Sequence, residues 1–286
     1  MRDPPRLPRA LWPRLQLVES TDLPGLPLPL RRWIGDYLRG ILAATHLFAP
    51  AAPRIAELLR EAGTACIVDL CSGGGGPWPG LALEVETSLG GPVRVLLTDL
   101  HPDAETWEFL RSTSGGAVEG LMEPVPADAV PAALAGVRTI FDGLHHLPPR
   151  AARAVLADAA RRRVPFMAGE AVERSVLGLA GILISPLLVW LVTPVLRPLS
   201  LARVLLTYLL PVVPLLVLWD GIVSVLRCYR PGELLALAEG LDPAYSWSVE
   251  GGRRGRGPTL LVGRPIAPLD PPSLGRSAAA LVKSRA

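Results

Sequence analysis

Apolar positions change their spacing along the chain near Gly63, from helical intervals to short continuous runs. Within Leu30–Glu61 they recur three and four residues apart, which predicts helix. Pro50 and Pro53 break this stretch into two helices, and Gly63 supplies the end signal of the second one. Residues 1–62 are therefore predicted to form an irregular arm, rich in Pro and Arg, followed by an N-terminal helical cap.

The short apolar runs beyond Gly63 alternate with helical stretches, which predicts parallel β-strands joined by helices. The predicted strands are Ala65–Leu70, Val93–Leu97, Val118–Val125, Arg138–Phe141 and Val164–Ala168, followed by a hairpin of Tyr245–Glu250 and Thr259–Gly263. The predicted helices are Leu81–Leu89, Ala151–Ala160 and Pro231–Gly240. Ligands of such sheets bind beyond the carboxyl ends of the strands. The polar residues at those ends are Asp69, Asp99, the stretch Asp142–His146 and Glu170.

The segment Val176–Leu226 interrupts this pattern, because it is almost free of charged residues. Its first part, Val176–Leu196, is uncharged and long enough to cross hydrocarbon, which takes about 20 residues. Residues 175–226 are predicted to form a hydrophobic helical hairpin that contacts a membrane. The hairpin departs just after Glu170, at the edge where a substrate would enter, so it could roof the active site.

The few charges near this segment argue against a simple pair of membrane spans. Arg174, Arg227 and Arg230 flank it on the predicted cytoplasmic side, as the positive-inside rule prefers. Arg197 and Arg203 would then lie on the far side. A re-entrant or in-plane hairpin, with these two arginines reaching lipid head groups, fits better than two spans. The alternative is a helical cap buried in a soluble homodimer.

Composition narrows the class of protein. Half of the residues are apolar and 19% are charged, against roughly 25% in an average soluble domain, which excludes a disordered chain and favours lipid contact. The net charge of +3 gives no reason to expect a nucleic-acid partner. The 3 cysteines are too scattered for a disulfide framework, and no secretory signal is apparent. We expect the cytoplasmic membrane, with the catalytic domain facing the cytoplasm.

A glycine-rich turn, Ser72–Gly76, follows the first predicted strand, where backbone can approach a ligand closely. A phosphate-binding P-loop requires a lysine after the glycines, and the only lysine is Lys283. A dinucleotide site requires Gly-x-Gly-x-x-Gly, but Trp78 or Pro79 stands at the third glycine position. Neither cofactor class fits this turn.

The sequence around the turn resembles the first motif of class I S-adenosylmethionine-dependent methyltransferases. In Ile67–Gly75, a hydrophobic-Asp-hydrophobic run precedes the glycines, with Cys71 in place of the first one, where the motif requires an unstrained backbone. Further stretches resemble the second, third and fourth motifs of that family: Leu96–Leu100, Pro126–Asp128 and Arg138–His146. With the closing hairpin, the whole chain resembles an uncharacterised family of membrane-associated bacterial methyltransferases.

This resemblance implies an α/β fold: a Rossmann-like seven-stranded methyltransferase sheet whose last strand is antiparallel, with an N-terminal helical cap and an inserted hydrophobic helical hairpin. The methyltransferase domain would comprise residues 63–174 and 227–268, followed by a flexible tail over residues 269–286. The implied cofactor is S-adenosylmethionine. Its implied binding residues are Asp69, Cys71, Gly73, Gly75, Asp99, Leu100 and Asp128.

The resemblance also implies a role for each acid of this set. Asp69 and the glycines would shape the methionine and ribose pocket, and Asp99 would accept both ribose hydroxyls. Asp128 would approach the adenine, although a helix cap or a solvated loop residue is an equal alternative for it.

His145, His146 and Glu170 are the candidate catalytic residues. Histidine titrates near neutral pH, so either imidazole could deprotonate an acceptor, although adjacent histidines also line pockets structurally. Glu170 either faces the site or pairs with Arg174. No metal site is predicted, because no cysteine or carboxylate cluster with ligand spacing accompanies the histidines in the sequence.

The sequence thus predicts methyl transfer from S-adenosylmethionine to an O, N or C nucleophile of a lipophilic small molecule, taken from the membrane lipid. Two alternatives stay open. The chain is a non-catalytic membrane scaffold that retains the fold, or it is an enzyme for a soluble substrate that is merely anchored. Neither the acceptor nor the oligomeric state is predicted.

Overall fold

A mixed seven-stranded sheet lies at the centre of the computed structural model, which describes residues 12–78, 80–253 and 256–266. Its strands are β1 (Cys66–Asp69), β2 (Arg94–Leu97), β3 (Val118–Gly120), β4 (Val137–Phe141), β5 (Phe166–Glu170), β6 (Tyr245–Arg253) and β7 (Arg256–Pro265). The spatial order is β3-β2-β1-β4-β5-β7-β6, and β7 runs antiparallel to both of its neighbours. The predicted α/β sheet with an antiparallel last strand is confirmed.

Helices connect and cover these strands. They are α1 (Leu28–Thr45), α2 (Ala52–Glu61), α3 (Gly80–Leu89), α4 (Ala104–Thr113), α5 (Pro149–Arg161), α6 (Val176–Ile182), α7 (Ser185–Val192), α8 (Leu201–Val204), α9 (Val212–Arg227) and α10 (Pro231–Ala238). The two predicted N-terminal helices are present, and a short 3-10 turn, Ala49–Ala51, separates them. Helix α4 was not predicted, although Asp103 caps it by accepting from Glu105 N and Thr106 N.

The hydrophobic core lies on both faces of the sheet, as a parallel sheet requires. Helices α2, α3 and α4 cover one face, where Ile55, Val85 and Leu110 are fully buried. Helices α5 and α10 cover the other face through side chains such as Leu156 and Leu234. Because both faces are covered, the free edge for a ligand is the carboxyl edge of the strands.

The third strand is shorter than predicted. It ends at Gly120 rather than continuing to Val125. Pro124 and Pro126 have no N–H to donate to a ladder, so the chain leaves the sheet before them. Other predictions fall partly outside the described residues: the first part of the N-terminal arm, Pro79, the tip of the closing hairpin and the tail over residues 269–286.

The segment after β5 folds as helices, with a 3-10 turn at Thr193–Val195 and a π-helical turn at Leu205–Leu209. Helix α9 contacts both α6 and α7, and the apolar side chains of Val189, Val213 and Val217 pack on α1 through Ile34 and Tyr37. The segment is thus attached to the rest of the protein along the N-terminal helix.

Most of the apolar surface of this segment faces outward. Val176–Val195 is apolar and long enough to cross a membrane, and only 17% of its most apolar window is buried. The stretches Leu201–Leu209 and Val212–Arg227 pass the same test only together, and they are bent by 72° at the break between them. By length and composition, the described residues thus contain one or two candidate spans.

The charges of this segment do not lie where the sequence placed them. Arg203 does not reach outward: it is buried, pairs with Asp36 of α1 and stacks over the ring of Trp33. Asp220 is also buried, and both of its carboxylate oxygens accept hydrogen bonds from Ser20 of the N-terminal arm. Only Arg197 is exposed, so the expectation that both arginines reach head groups is wrong for Arg203.

Candidate active site

The glycine-rich turn leaves β1 in a left-handed backbone conformation. Gly73, Gly75 and Gly76 have positive φ angles of 43°, 89° and 49°. A Cβ on Gly75 would lie 2.3 Å from Cδ1 of Leu110, whereas a Cβ on Gly73 would meet nothing within 4 Å. The turn is therefore packed tightly against α4 on one side and open on the other, as a cradle for a ligand requires.

Cys71 occupies the same left-handed region, with φ of 54°. The expectation of an unstrained backbone at this position is wrong, because a residue with a Cβ adopts this conformation only at a cost. The position is one where glycine would be free of strain. The backbone approaches Cys71 closely at this point, since a Cβ built on Gly143 would lie 3.2 Å from the Cβ of Cys71.

Asp69 ends β1 and lies beneath the turn. Its Oδ1 accepts from the Thr139 hydroxyl at 2.6 Å, and its Oδ2 accepts from the Ser72 hydroxyl at 2.7 Å. It therefore ties β1 to β4 and to the turn. Burial raises the pKa of Asp69 to about 6, although both hydroxyl donors oppose the shift.

Asp99 follows β2 and is hydrogen-bonded to the turn itself. Its Oδ2 accepts from the Gly73 N–H at 2.9 Å, and its Oδ1 accepts from the His101 N–H at 2.8 Å. The next residue, Leu100, is 53% exposed and stands at the rim. Asp128 lies exposed in the loop that follows β3.

The negative charges at the carboxyl edge of the sheet act together on the thiol of Cys71. Burial, followed by the charges of Asp99, Asp69 and Asp128, raises the pKa of the Cys71 thiol to about 12. The structure thus brings the sequence-predicted cofactor residues together around the turn. Their common field disfavours an anionic ligand and favours a cationic one.

Helix α1 lies against the other side of the turn. Gly35 and Gly74 pack backbone to backbone, since a Cβ on Gly74 would lie 3.2 Å from the Cα of Gly35. The Arg39 guanidinium donates to the Gly74 carbonyl at 2.7 Å and to Asp36 at 2.6 Å. Asp36 also pairs with Arg203, so a chain of charged contacts links the hydrophobic segment to the glycine-rich turn.

The two histidines lie in a 3-10 turn, Leu144–His146, after β4. His145 is buried, and its Nδ1 lies 2.5 Å from Oε2 of Glu170, whose Oε1 accepts from the His145 N–H at 3.1 Å. Glu170 thus faces the site, and the alternative of a pair with Arg174 is wrong, because Arg174 pairs with Glu233.

The N-terminal arm supplies carboxylates to these histidines. Oε1 of Glu19 lies 3.5 Å from His145 Nε2, and its Oε2 lies 3.5 Å from His146 Nε2. Asp22 Oδ1 lies 2.7 Å from His146 Nδ1. The expectation that no carboxylate accompanies the histidines is therefore wrong, because the fold brings in two that are more than a hundred positions away.

Arg227, at the end of α9, closes this cluster. It is buried, donates to Glu19 and Asp22 at 2.6 Å each, and lies 2.9 Å from His146 Nδ1. Burial alone would raise the pKa of Glu19, but its contacts with His145 and His146 and the charge of Arg227 lower it to about 2. Glu19 is therefore ionised across the physiological range.

The same environment changes the chemistry of His145. Burial alone would lower its pKa, but the charges of Glu170 and Glu19 outweigh burial and raise the pKa to about 10. Without another ligand, the imidazole carries a proton on both nitrogens at neutral pH and cannot accept one. The expected role of His145 as a simple base is not supported by this geometry.

Asp142 directly follows β4 and precedes the 3-10 turn that carries the two histidines. Its Oδ1 accepts from the Ala171 N–H at 2.7 Å, and its Oδ2 is buried with no hydrogen-bond partner among the described residues. Burial, followed by the charge of Glu170, raises the pKa of Asp142 to about 7. Its φ of 50° is again left-handed. A buried carboxyl group with an oxygen that makes no hydrogen bond and a pKa near neutrality suits proton transfer.

Sequence reasoning missed Glu19, Asp22, Arg227 and Asp142 as individual site residues. Asp142 had a signal, because it directly follows a predicted strand. Glu19 and Asp22 had none, since nothing local marks an arm residue that folds onto a sheet edge. Arg227 looked like a flanking positive charge of a membrane segment.

No family model and no curated protein matches this sequence. Solved structures that resemble the chain include an O-methyltransferase from neocarzinostatin biosynthesis (18% identity, 74% of this chain and 52% of that one, TM-score 0.41). Another is the mitomycin 7-O-methyltransferase (17% identity, 76% of this chain and 54% of that one, TM-score 0.40). A third is human N-acetylserotonin methyltransferase (11% identity, 80% of this chain and 56% of that one, TM-score 0.44). The chain spans about half the length of these proteins. Similarity at this level carries no argument about activity.

Proposed function

We propose that this protein is an S-adenosylmethionine-dependent methyltransferase. The observation that carries the proposal is the hydrogen bond between Asp99 and Gly73, which joins the acid after β2 to the glycine-rich turn after β1. A ligand seated on the turn would meet that carboxylate and the field of Asp69 and Asp128. A sulfonium cofactor is positively charged and carries ribose hydroxyls that a carboxylate binds, whereas a pyrophosphate cofactor would be repelled.

Within this proposal the cofactor residues have separate tasks. Gly73 and Gly75 give the turn its left-handed backbone, and Asp69 holds the turn from beneath through Ser72 and Thr139. Asp99 would exchange part of its present bonding for the ribose hydroxyls. Leu100 and Asp128 stand exposed at the rim, where the adenine would lie.

The reaction would be in-line transfer of the sulfonium methyl to a nucleophile of the acceptor, for which the fold supplies mainly proximity and orientation. An acceptor with an ionisable proton would lose it to Asp142, whose free Oδ2 faces no partner among the described residues. His145 and Glu170, which contact each other, would orient the acceptor.

The acceptor would be lipophilic, and the protein would bind the surface of the cytoplasmic membrane. The hydrophobic segment presents outward-facing side chains that an aqueous surface disfavours. Among the most exposed are Leu177, Leu183, Leu191, Val195, Leu201 and Leu209. The segment reaches the histidine cluster through Arg227 at the end of α9, so it connects the apolar surface to the acceptor side of the site.

Calorimetric titration of S-adenosylmethionine into the detergent-purified protein tests the cofactor assignment. The wild type is expected to bind, and Asp99→Ala is expected to abolish measurable affinity, because the ribose loses its acceptor. Glu108→Ala is the matched control, since Glu108 is an exposed acid that pairs only within α4 with Arg111. Unchanged affinity in the Asp99→Ala variant would overturn the site.

Vesicle co-sedimentation tests the membrane assignment. The double variant Leu191→Glu, Leu209→Glu is expected to lose most of its binding to phosphatidylglycerol-containing vesicles. Leu83→Glu is the control, because Leu83 lies on α3 and is 67% exposed, as Leu191 is at 66%. Equal binding of all three proteins would remove the membrane from the proposal and favour a helical cap for a second copy.

A non-catalytic scaffold is the second candidate, and the closed histidine cluster favours it, since His145 is only 3% exposed. Incubation with cofactor labelled at the methyl group and a bacterial lipid extract separates the two. Label in any lipid fraction supports the enzyme. Cofactor binding without any transfer, to lipids or to water-soluble acceptors, supports the scaffold.

A further inference from the structure

We propose that Glu19, His145 and His146 bind one divalent transition-metal ion, with Zn²⁺ as the best-fitting ion. This site shares His145 with the proposed acceptor side of the enzyme, but it can be tested independently of the proposed methyl transfer, because metal binding requires neither cofactor nor acceptor. Two imidazoles and one carboxylate are a common set of three protein ligands for zinc.

The spacing of the ligand atoms fits an ion. Glu19 Oε1 lies 3.5 Å from His145 Nε2, and Glu19 Oε2 lies 3.5 Å from His146 Nε2. One ligand atom from each of the three residues can be chosen so that all lie within 4.8 Å of one another. Ligands about 2.1 Å from a tetrahedral zinc ion are about 3.4 Å apart, a spacing that both of these carboxylate–imidazole distances match.

The free nitrogen of His145 points to a missing ligand. His145 is 97% buried, and its Nε2 makes no hydrogen bond among the described residues: the Glu19 carboxylate lies 3.5 Å away, whereas Nδ1 lies 2.5 Å from Glu170. A buried polar atom without a hydrogen bond costs free energy, which a bound ion would recover.

Both imidazoles also have the outer partners that metal-binding histidines need. Glu170 lies at Nδ1 of His145, and Asp22 lies 2.7 Å from Nδ1 of His146. A carboxylate at Nδ1 places the proton there and leaves Nε2 free to bind metal. A metal ion bound to Nε2 of both imidazoles would therefore complete a carboxylate–histidine–metal arrangement at each of them.

The cluster carries enough negative charge to bind a cation. Glu19, Asp22 and Glu170 contribute carboxylates, while Arg227 is the arginine that bonds directly to Glu19 and Asp22. Arg227 Nη2 takes Glu19 Oε1 and leaves Oε2 on the His146 side. The same nitrogen lies 2.9 Å from His146 Nδ1, and in the metal-bound form that Nδ1–H donates to Asp22 instead. Metal binding displaces the Nε2 protons of both imidazoles to solvent.

Titration of Zn²⁺ into untagged, metal-free protein, followed by calorimetry, tests the site. The wild type is expected to bind one equivalent with micromolar or tighter affinity, and Co²⁺ to give the strong visible absorption of a four-coordinate ion. His145→Ala and Glu19→Gln are expected to weaken binding by more than the roughly 10–100-fold that outer partners contribute. Glu170→Gln is expected to fall within that range.

The other two histidines supply the matched control. His46 is exposed and pairs with Glu84, and His101 lies at the rim of the turn, so His46→Ala and His101→Ala are expected to bind as the wild type does. Loss of binding in these variants, or no stoichiometric binding by the wild type, would overturn the proposal. If a cluster variant fails to fold, as circular dichroism would show, the wild-type cobalt spectrum still decides, because adventitious surface ions remain six-coordinate and pale.

Discussion

The two halves of the site are held in place by different forces. The glycine-rich half is built by backbone conformation: Cys71 and Gly73 lie in the left-handed region, and Asp99, which accepts from the Gly73 N–H, is 26 positions away from it. The histidine half is built by charge: Glu19, His145 and Arg227 come from three segments, two of which are 208 positions apart. A local sequence pattern can specify the first kind of structure, whereas only the complete fold specifies the second.

The largest effect is expected when the charge that closes the histidine half is removed. Arg227→Met keeps the length of the side chain but removes the buried arginine that bonds to both Glu19 and Asp22, so the free energy of unfolding should fall by about 3–5 kcal/mol. Urea denaturation measures it. Arg197→Met is the control, because Arg197 is exposed and donates to backbone carbonyls, and it should change stability by less than about 0.5 kcal/mol.

A loss below about 1 kcal/mol in Arg227→Met would show that packing, and not charge, holds the histidine half together.

The glycine-rich half should respond to pH through Asp69. Its pKa is raised from 3.8 to about 6 in the folded protein, so folding binds a proton and stability is lost as pH rises between these values. Asp69→Asn lacks this ionisation. The wild type should therefore lose roughly 3 kcal/mol relative to Asp69→Asn between about pH 3 and about pH 7, and most of that loss falls between the two pKa values.

Parallel urea titrations of both proteins across this range measure the difference, in which titration of groups common to both proteins cancels. A constant difference would mean that the two hydroxyl donors of Asp69 compensate fully for its burial.

Overpacking tests whether backbone geometry holds the turn. Gly75→Ala places a methyl group 2.3 Å from Leu110 Cδ1 and forces a positive φ on alanine, so about 2–3 kcal/mol of stability should be lost. Gly63→Ala has a similar φ of 61° but meets nothing within 4 Å. It should lose about 1 kcal/mol, and thermal unfolding of both proteins isolates the cost of the overlap. Equal losses would contradict the close approach of α4.

The smallest effect is expected from restoring a glycine at the strained position. Cys71→Gly removes the cost of φ 54° but adds flexibility to the unfolded chain, so stability should rise by about 0.5 kcal/mol. Cys66→Gly, in the regular strand β1, should instead lower it by about 1 kcal/mol. A clear loss in Cys71→Gly would show that contacts of the thiol outweigh the backbone strain.

More of the glycine-rich half than of the histidine half could be predicted from the sequence. The strand ends that carry Asp69 and Asp99 were predictable, because an apolar run followed by an acid and glycines is a local signal. Helix α4 also carries a local signal, because Asp103 is a typical residue at the start of a helix.

Long-range charge pairs could not be predicted in this way. From the sequence alone, an arginine in an apolar segment, such as Arg203, is as compatible with binding to lipid head groups as with a buried ion pair. Only the packing of α1 against the segment shows that Arg203 pairs with Asp36. Likewise, nothing near Glu19 in the sequence indicates two histidines more than a hundred positions away.

The span of 208 positions between Glu19 and Arg227 also sets an order of assembly. Closing a loop of that length costs about 2 kcal/mol more than closing the 26 positions between Gly73 and Asp99. On the ribosome, the glycine-rich turn can form while the chain is still being made, whereas the acidic arm must wait until residue 227 has emerged. A nascent chain would therefore acquire the glycine-rich half of the site first. The buried arginine and histidines would be the last to find their counter-charges.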